Sequence, residues 1–387
     1  MNRRHFMAAL ASGAGMLALG PHVSVMAAAP SQKRLLVLVE LKGGNDGLNT
    51  LVPYADPAYF ALRPRVAIAR DAVLQLSGSV GLHPALQPLM PMWEAGELAV
   101  LQGVGYPAPN LSHFRSIEIW HTASGSQEVR QQGWLARAFE LNPGPASYFA
   151  EGVRVGQGDM GPLAGSGVRS IALANIDQFL RQARMARPVE GGAAKSALGH
   201  IMQVDQDIAA AAGRIQPGMR AAGEFPKGAF GEAVKTACQV LESGAGVGAI
   251  CLTLNGFDTH QNQLGRHAAL LRELGEGLAA LKNALVAQAR WRDTLVLTYA
   301  EFGRRPKENQ SGGTDHGTAS VHFACGGAVR GGLYGAMPSL NDLDGSGNLR
   351  HTLDFRGVYA TVLNRWWGMD AQSILGARHS DAGFLRA

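Results

Sequence analysis

The chain has 387 residues, 46% of them hydrophobic and 17% charged, with a formal net charge of +5. That composition buries a full core and excludes a disordered chain, and the charge, with no Lys/Arg run or basic stripe, leaves no footprint for nucleic acid. The 50 glycines follow no period, and the three cysteines (Cys238, Cys251, Cys325) include no CxxC, so repeat folds, a disulfide framework and a zinc ribbon are excluded.

Arg3 and Arg4 precede a mostly apolar, small-residue stretch from Ala8 to Leu19. Val25-Met26-Ala27-Ala28-Ala29 then offers small residues suited to signal-peptidase cleavage. The arginine pair resembles a twin-arginine export signal. Residues 1–29 are therefore expected to be a cleaved signal peptide, read by the twin-arginine export machinery, with a periplasmic mature chain from residue 30 to 387. The apolar run is too short and too rich in Gly and Ala to span about 30 Å of hydrocarbon. No later stretch reaches about 18 apolar residues, so no membrane span is expected in the mature chain.

Arg34–Leu41, Leu98–Val104, Ala249–Leu254 and Thr294–Tyr299 are short, almost uniformly apolar runs, each followed by Gly or polar residues. Such runs predict strands buried on both faces of a parallel sheet. Between the last two, Leu264, His267, Leu271, Leu274, Leu278, Leu281 and Leu285 fall at steps of three and four, the stripe of one helix. Strand, helix, strand is the βαβ pattern of a three-layer α/β sandwich with a mostly parallel central sheet. Residues 143–232 are rich in Gly, Ala and Gln, with weak strand signals, and read as a helical insertion or cap; Ala183–Gly213 predicts a helix broken at Gly191-Gly192. Asp354 predicts the cap of a helix that runs to about Trp367 and stops at Gly368.

Four segments gather chemistry where strands end, the edge at which open α/β sheets bind ligands. Asp46 lies in Gly43-Gly44-Asn45-Asp46-Gly47, also good turn chemistry. Ser112 opens a helix at Ser112-His113-Phe114-Arg115-Ser116, as a nucleophile or as a plain N-cap. Asp258 and His260, two apart on a loop, can share one ion, whereas His267, on the apolar stripe of the next helix, reads as a core histidine. Asp315 and His316 are adjacent between glycines, with His322 six residues beyond His316. No GxSxG elbow exists, which argues against a serine triad. Gly156–Gly161 fits GxGxxG literally, but Pro162 follows and no helix pattern opens, which argues against dinucleotide binding.

Taken together, the twin-arginine start, GGNDGLNTLVPY (43–54), GLHPAL (81–86), SHFRS (112–116), FDTH (257–260), EFGRR (301–305) and GTDHG (313–317) resemble the exported bacterial family called domain of unknown function 1501. That family is similar to the alkaline phosphatase/sulfatase superfamily, whose members hydrolyse or transfer phosphate or sulfate esters at a two-metal site. The resemblance implies two divalent ions, Zn or Mn/Mg/Ca. It implies Asp46 as the first metal-binding aspartate, Ser112 in the nucleophile's place, Asp258 and His260 on one metal with His322 as a third ligand, and Asp315 and His316 on the other. The superfamily's Asp/His pair is more widely spaced than Asp258 and His260, which leaves His260 and His267 both open as ligands. Glu301 follows Asp258 where the superfamily's glutamate precedes it, so it is not carried over, and the sequence around Ser112 is not the formylglycine signature. Arg115 or Arg304 would add a bidentate oxyanion contact. The expectation is an exported metal-dependent hydrolase acting on small-molecule or polymer esters. Its rivals are a hydrolase using metal-bound water, and a non-catalytic binding or assembly protein that keeps a structural metal.

Overall fold

The computed structural model describes residues 34–156, 158–185, 212–213, 221–244 and 246–386. The expected signal peptide and most of the helix expected over Ala183–Gly213 lie outside the described residues. Nine strands form the central sheet: Leu35–Lys42 (β1), Leu98–Gly105 (β2), Tyr148–Val155 (β3), Ser170–Leu173 (β4), Gly246–Asn255 (β5), Thr294–Tyr299 (β6), Ser320–Cys325 (β7), Gly332–Tyr334 (β8) and Leu353–Asp354 (β9). Their order is β8-β2-β7-β6-β1-β5-β3-β4, with β9 also pairing β2. All run parallel except β7, which is antiparallel to both neighbours.

Strand β1 lies at the centre, with Leu36 opposite Ala249 of β5 on one side and opposite Leu295 of β6 on the other. Its side chains alternate between the two faces of the sheet. Leu35, Val37, Val39 and Leu41 join the core under the helices Ala229–Glu242 and Gln263–Ala287. Leu36 and Leu38 join the core under His113–Thr122, Trp134–Leu141 and Phe355–Thr361. Burial on both faces is the reason these strands carry no polar alternation. The sheet is thus covered by helices on both sides, the expected three-layer sandwich. In the long helix the buried stripe runs from His267 through Leu271, Leu274, Leu278, Leu281 and Leu285, while Leu264 is largely exposed. Asp354 caps the Arg356 N–H, a π-turn over Val362–Trp367 follows, and Gly368 ends it at φ +69°.

The segment 143–232, expected as an insertion or cap, differs in its first part: it supplies β3 and β4 to the central sheet. Charges in YFAEGVRV (148–155) hide β3 from a search for apolar runs. Both are buried with polar partners: Glu151 meets Arg169 at 3.4 Å, and Arg154 donates to Thr253 and lies 3.6 Å from Glu40. Among the described residues no helix is long and apolar enough to cross a membrane.

Candidate metal centre

Because β1, β2, β5 and β6 are parallel, the loops that follow them open on one edge of the sheet. A hairpin, Arg304–Glu308 paired with Thr314–His316, reaches the same edge before the chain turns into β7. Four side chains from three of these segments face one another there.

Asp258 is central and half exposed. Its Oδ1 lies 3.0 Å from His260 Nε2 and 3.3 Å from His316 Nε2, and its Oδ2 lies 3.6 Å from His113 Nε2. The Nε2 atoms of His260 and His316 are 3.0 Å apart. Among the described residues, His113, Asp258 and His316 form a group able to hold a metal ion, with ligand atoms all within 4.8 Å of one another.

The opposite ring nitrogens orient the imidazoles. His316 Nδ1 lies 2.9 Å from the Leu111 carbonyl, which can only accept, so Nδ1 carries the proton. His113 Nδ1 lies 2.7 Å from Glu301 Oε1, an oxygen that already accepts the Gly43 N–H at 2.9 Å. His260 Nδ1 lies 3.3 Å from Asp315 Oδ1. A neutral His316 or His113 that donates outward presents a bare Nε2 toward Asp258, whereas His260 has a carboxylate within reach of both nitrogens, Asp315 at 3.3 Å and Asp258 at 3.0 Å. Three imidazole Nε2 atoms around one carboxylate are held together by shared protons or by a cation, and Asp258 Oδ1 also accepts from Arg304. The donor set fits a divalent ion, and its nitrogen content suits Zn and similar ions better than Mg or Ca.

Electrostatics differ from residue to residue in the cluster. Burial alone would raise the Asp258 carboxyl, but the hydrogen bond and charge of Arg304 outweigh it and hold it below the usual range. Burial lowers His316, whereas the hydrogen bond to Glu301 raises His113.

Other expected residues lie elsewhere or act differently. Asp46 is fully buried. Its Oδ1 caps the helix Gly47–Thr50 through the N–H groups of Leu48 and Asn49, and its Oδ2 takes Arg63 at 2.7 Å and the Gln263 amide. With its lone pairs committed, Asp46 is a structural anchor and not a ligand of this cluster. His322 is buried on β7 beside Trp120, with ring centroids 5.4 Å apart, and neither ring nitrogen has a hydrogen-bond partner among the described residues. It is a core histidine. His267 is likewise buried, donating to Asn45 Oδ1 at 2.9 Å, which leaves His260 as the histidine in the cluster.

Asp315 stands behind His260, on the side away from Nε2, as an orienting carboxylate. Arg304 is not a free oxyanion clamp: its guanidinium donates to the carbonyls of Gly43, Gly44, Phe257 and Thr314 and to Asp258, tying the site's loops together. Arg115 holds Glu118 and the carbonyls of Ser126 and Glu128. Ser112 is exposed at the N-cap of His113–Thr122, yet its hydroxyl makes no capping bond. Neither His113 nor Glu301 is among the ligands expected from the sequence, where Glu301 is set aside by its position after Asp258. The signal for His113 was in plain view, a histidine next to the hydroxyl, but its partner Glu301 is 188 residues away in sequence.

A family profile described as "Protein of unknown function (DUF1501)" matches residues 74–377. The chain belongs to this family. No curated protein matches it. Solved structures similar to this DUF1501 chain include BT1596, a 2-O GAG sulfatase, at 10% identity, covering 90% of this chain and 76% of that one with a TM-score of 0.39. Another is the C-terminal periplasmic domain of EcEptC from Escherichia coli in complex with Zn, at 10% identity, 77% and 74% coverage and a TM-score of 0.37. A third is a protein in the alkaline phosphatase superfamily from Vibrio parahaemolyticus, at 10% identity, 80% and 65% coverage and a TM-score of 0.37. Likeness at this level brings no activity to the DUF1501 chain.

Proposed function

We propose that this chain is an exported, metal-dependent hydrolase of phosphate or sulfate esters, working at a centre built from His113, Asp258, His260 and His316. The observation that carries the reading is the convergence of three imidazole Nε2 atoms on one carboxylate at the carboxyl edge of the sheet. The donor set supports one ion rather than two, because Asp46 is bonded to Arg63 and His322 is buried in the core beside Trp120. A divalent ion bound there supplies Lewis-acid stabilisation of ester oxygens and lowers the pKa of an adjacent hydroxyl or water.

The chain's own groups do the rest. Asp258 supplies negative charge, and Asp315, Glu301 and Leu111 orient the imidazoles. Ser112, exposed and uncapped beside His113, is the nucleophile we assign. The arginine pair at residues 3 and 4 supports export by the twin-arginine pathway.

A second reading, a non-catalytic exported protein with a structural metal, is favoured by one observation: Arg115 and Arg304 are both occupied by protein groups, so neither grips an oxyanion. The test is metal analysis of the purified protein, with a screen on phosphate and sulfate mono- and diesters. Bound metal with turnover that Ser112→Ala and Asp258→Asn abolish is the expected result. Turnover surviving in Ser112→Ala would move the nucleophile to water, bound metal without turnover would favour the structural reading, and absence of metal would overturn both.

A further inference from the structure

We infer that Glu301 is the positioning residue of this centre: it selects the His113 tautomer and fixes the distance between His113 and Asp258. The inference rests on the metal reading above. Glu301 is 2% exposed and comes directly after the buried strand β6, through Ala300. One oxygen, Oε1, accepts from both His113 Nδ1 at 2.7 Å and the Gly43 N–H at 2.9 Å. The other oxygen is buried and has no hydrogen-bond partner among the described residues. A carboxylate left half unsatisfied in a protein interior is costly. Its retention here is explained by what Oε1 does.

Counting His113 as the first, Glu301 has three attachments. Its backbone carbonyl accepts from the Ser116 hydroxyl, which in turn lies 2.6 Å from the Tyr106 hydroxyl. Ser116 is on the same helix as His113, one turn on, so the side chain of Glu301 holds the histidine and its backbone holds the helix that carries it. The third attachment is indirect. Gly43, held at its N–H by Glu301, offers its carbonyl to Arg304, and Arg304 holds Asp258. Thus one chain of contacts runs His113, Glu301, Gly43, Arg304, Asp258. With His113 Nδ1–H directed at a carboxylate, Nε2 is left bare and more basic, the state in which imidazole ligates a metal.

The test uses full-length protein with histidine labelled with ¹⁵N, and Zn²⁺ as the probe. In metal-free wild type, long-range ¹⁵N–¹H correlation should show His113 as the Nδ1–H tautomer, the signal being assigned by its loss in His113→Asn. Glu301→Ala should shift His113 toward the Nε2–H form and weaken Zn²⁺ binding about 10–100-fold, the range usual for removal of an outer partner of a ligand histidine. Glu301→Gln, which keeps an acceptor for both donors, should lie closer to wild type than Glu301→Ala. A wild-type His113 found as Nε2–H overturns the proposal, even if no Glu301 variant folds. So does a Glu301→Ala protein with lowered thermal stability but unchanged tautomer and unchanged Zn²⁺ affinity, since that is a purely structural role. Should wild type bind no metal while the tautomer follows Glu301, the positioning stands and the metal reading is what fails.

Discussion

At His322, burial pushes the imidazole down to about 3, far below its ordinary value, because nothing around the ring pays for a charge. The folded chain therefore refuses a proton that the unfolded chain accepts below pH about 6.5. Stability attributable to this residue is present above that value and is lost as the pH falls toward 3, at up to about 1.4 kcal/mol per pH unit. His322→Leu should flatten the acid limb of the stability curve in urea titrations at pH 4–7 and leave metal content unchanged. Loss of metal from that variant would return His322 to the ligand set. At Asp46 the shift has the same sign, but the form the fold favours is the charged one. Burial raises its carboxyl, Arg63 more than compensates, and the net pKa is lowered. Its contribution is present above the unfolded value near 3.9 and is lost as acid protonates the folded carboxylate. Arg63→Met strands that buried charge and should cost about 3–5 kcal/mol, and adding Asp46→Asn should recover part of the loss. No recovery in the double variant would show that Arg63 matters through its bonds to the Arg305 and Pro306 carbonyls and not through charge.

Among elements, the turn after β1 has the tightest constraint. Gly43 has φ +115°, and a Cβ built there would run into the backbone nitrogen of Asp258 and the carbonyl carbon of Phe257. Gly43→Ala should therefore combine backbone strain of about 1–3 kcal/mol with a displaced Asp258 loop and weaker metal binding. Gly368→Ala is the control, since its φ is +69° and nothing lies within reach of the added methyl. It should show strain in a melting curve without a change in metal affinity; equal metal binding in both variants would disconnect the turn from the site. This turn, and the strands that lead to the site, were legible in the sequence because β1, β2, β5 and β6 are uniformly apolar and end in glycine or polar residues. Strand β3 was not legible because its charges are neutralised by residues far along the chain. The same limit divides the site. Asp258, His260 and His316 stand out as short-range patterns, whereas the use of Glu301 and the closure of Asp46 by Arg63 depend on which side chains the fold brings together.

For the whole molecule, the centre draws on the loop after β2, the loop after β5 and the hairpin before β7, segments about 200 residues apart at the extremes yet within ligand distance of one another. An ion bound by all three binds only the folded chain, so it adds stability by mass action, about 2.7 kcal/mol when free metal stands at 100 times its Kd. For a chain larger than 250 residues each kcal/mol moves Tm by at most about 2–4 °C, so chelation should lower Tm by a few degrees. Hydrogen exchange should locate the change in residues 106–113, 256–262 and 309–317, while the buried stripe of Gln263–Ala287 keeps its protection. The variants then grade the ligands. Asp258→Asn removes the one carboxylate that all three Nε2 atoms face, and should abolish both metal content and the response to chelator. Asp315→Asn leaves that carboxylate intact and loses only the acceptor behind His260, so metal should bind about tenfold more weakly with most of the chelation shift retained at saturating metal. If Asp258→Asn keeps the metal content and chelator response of wild type, the four side chains are an ion-pair cluster and not a metal centre.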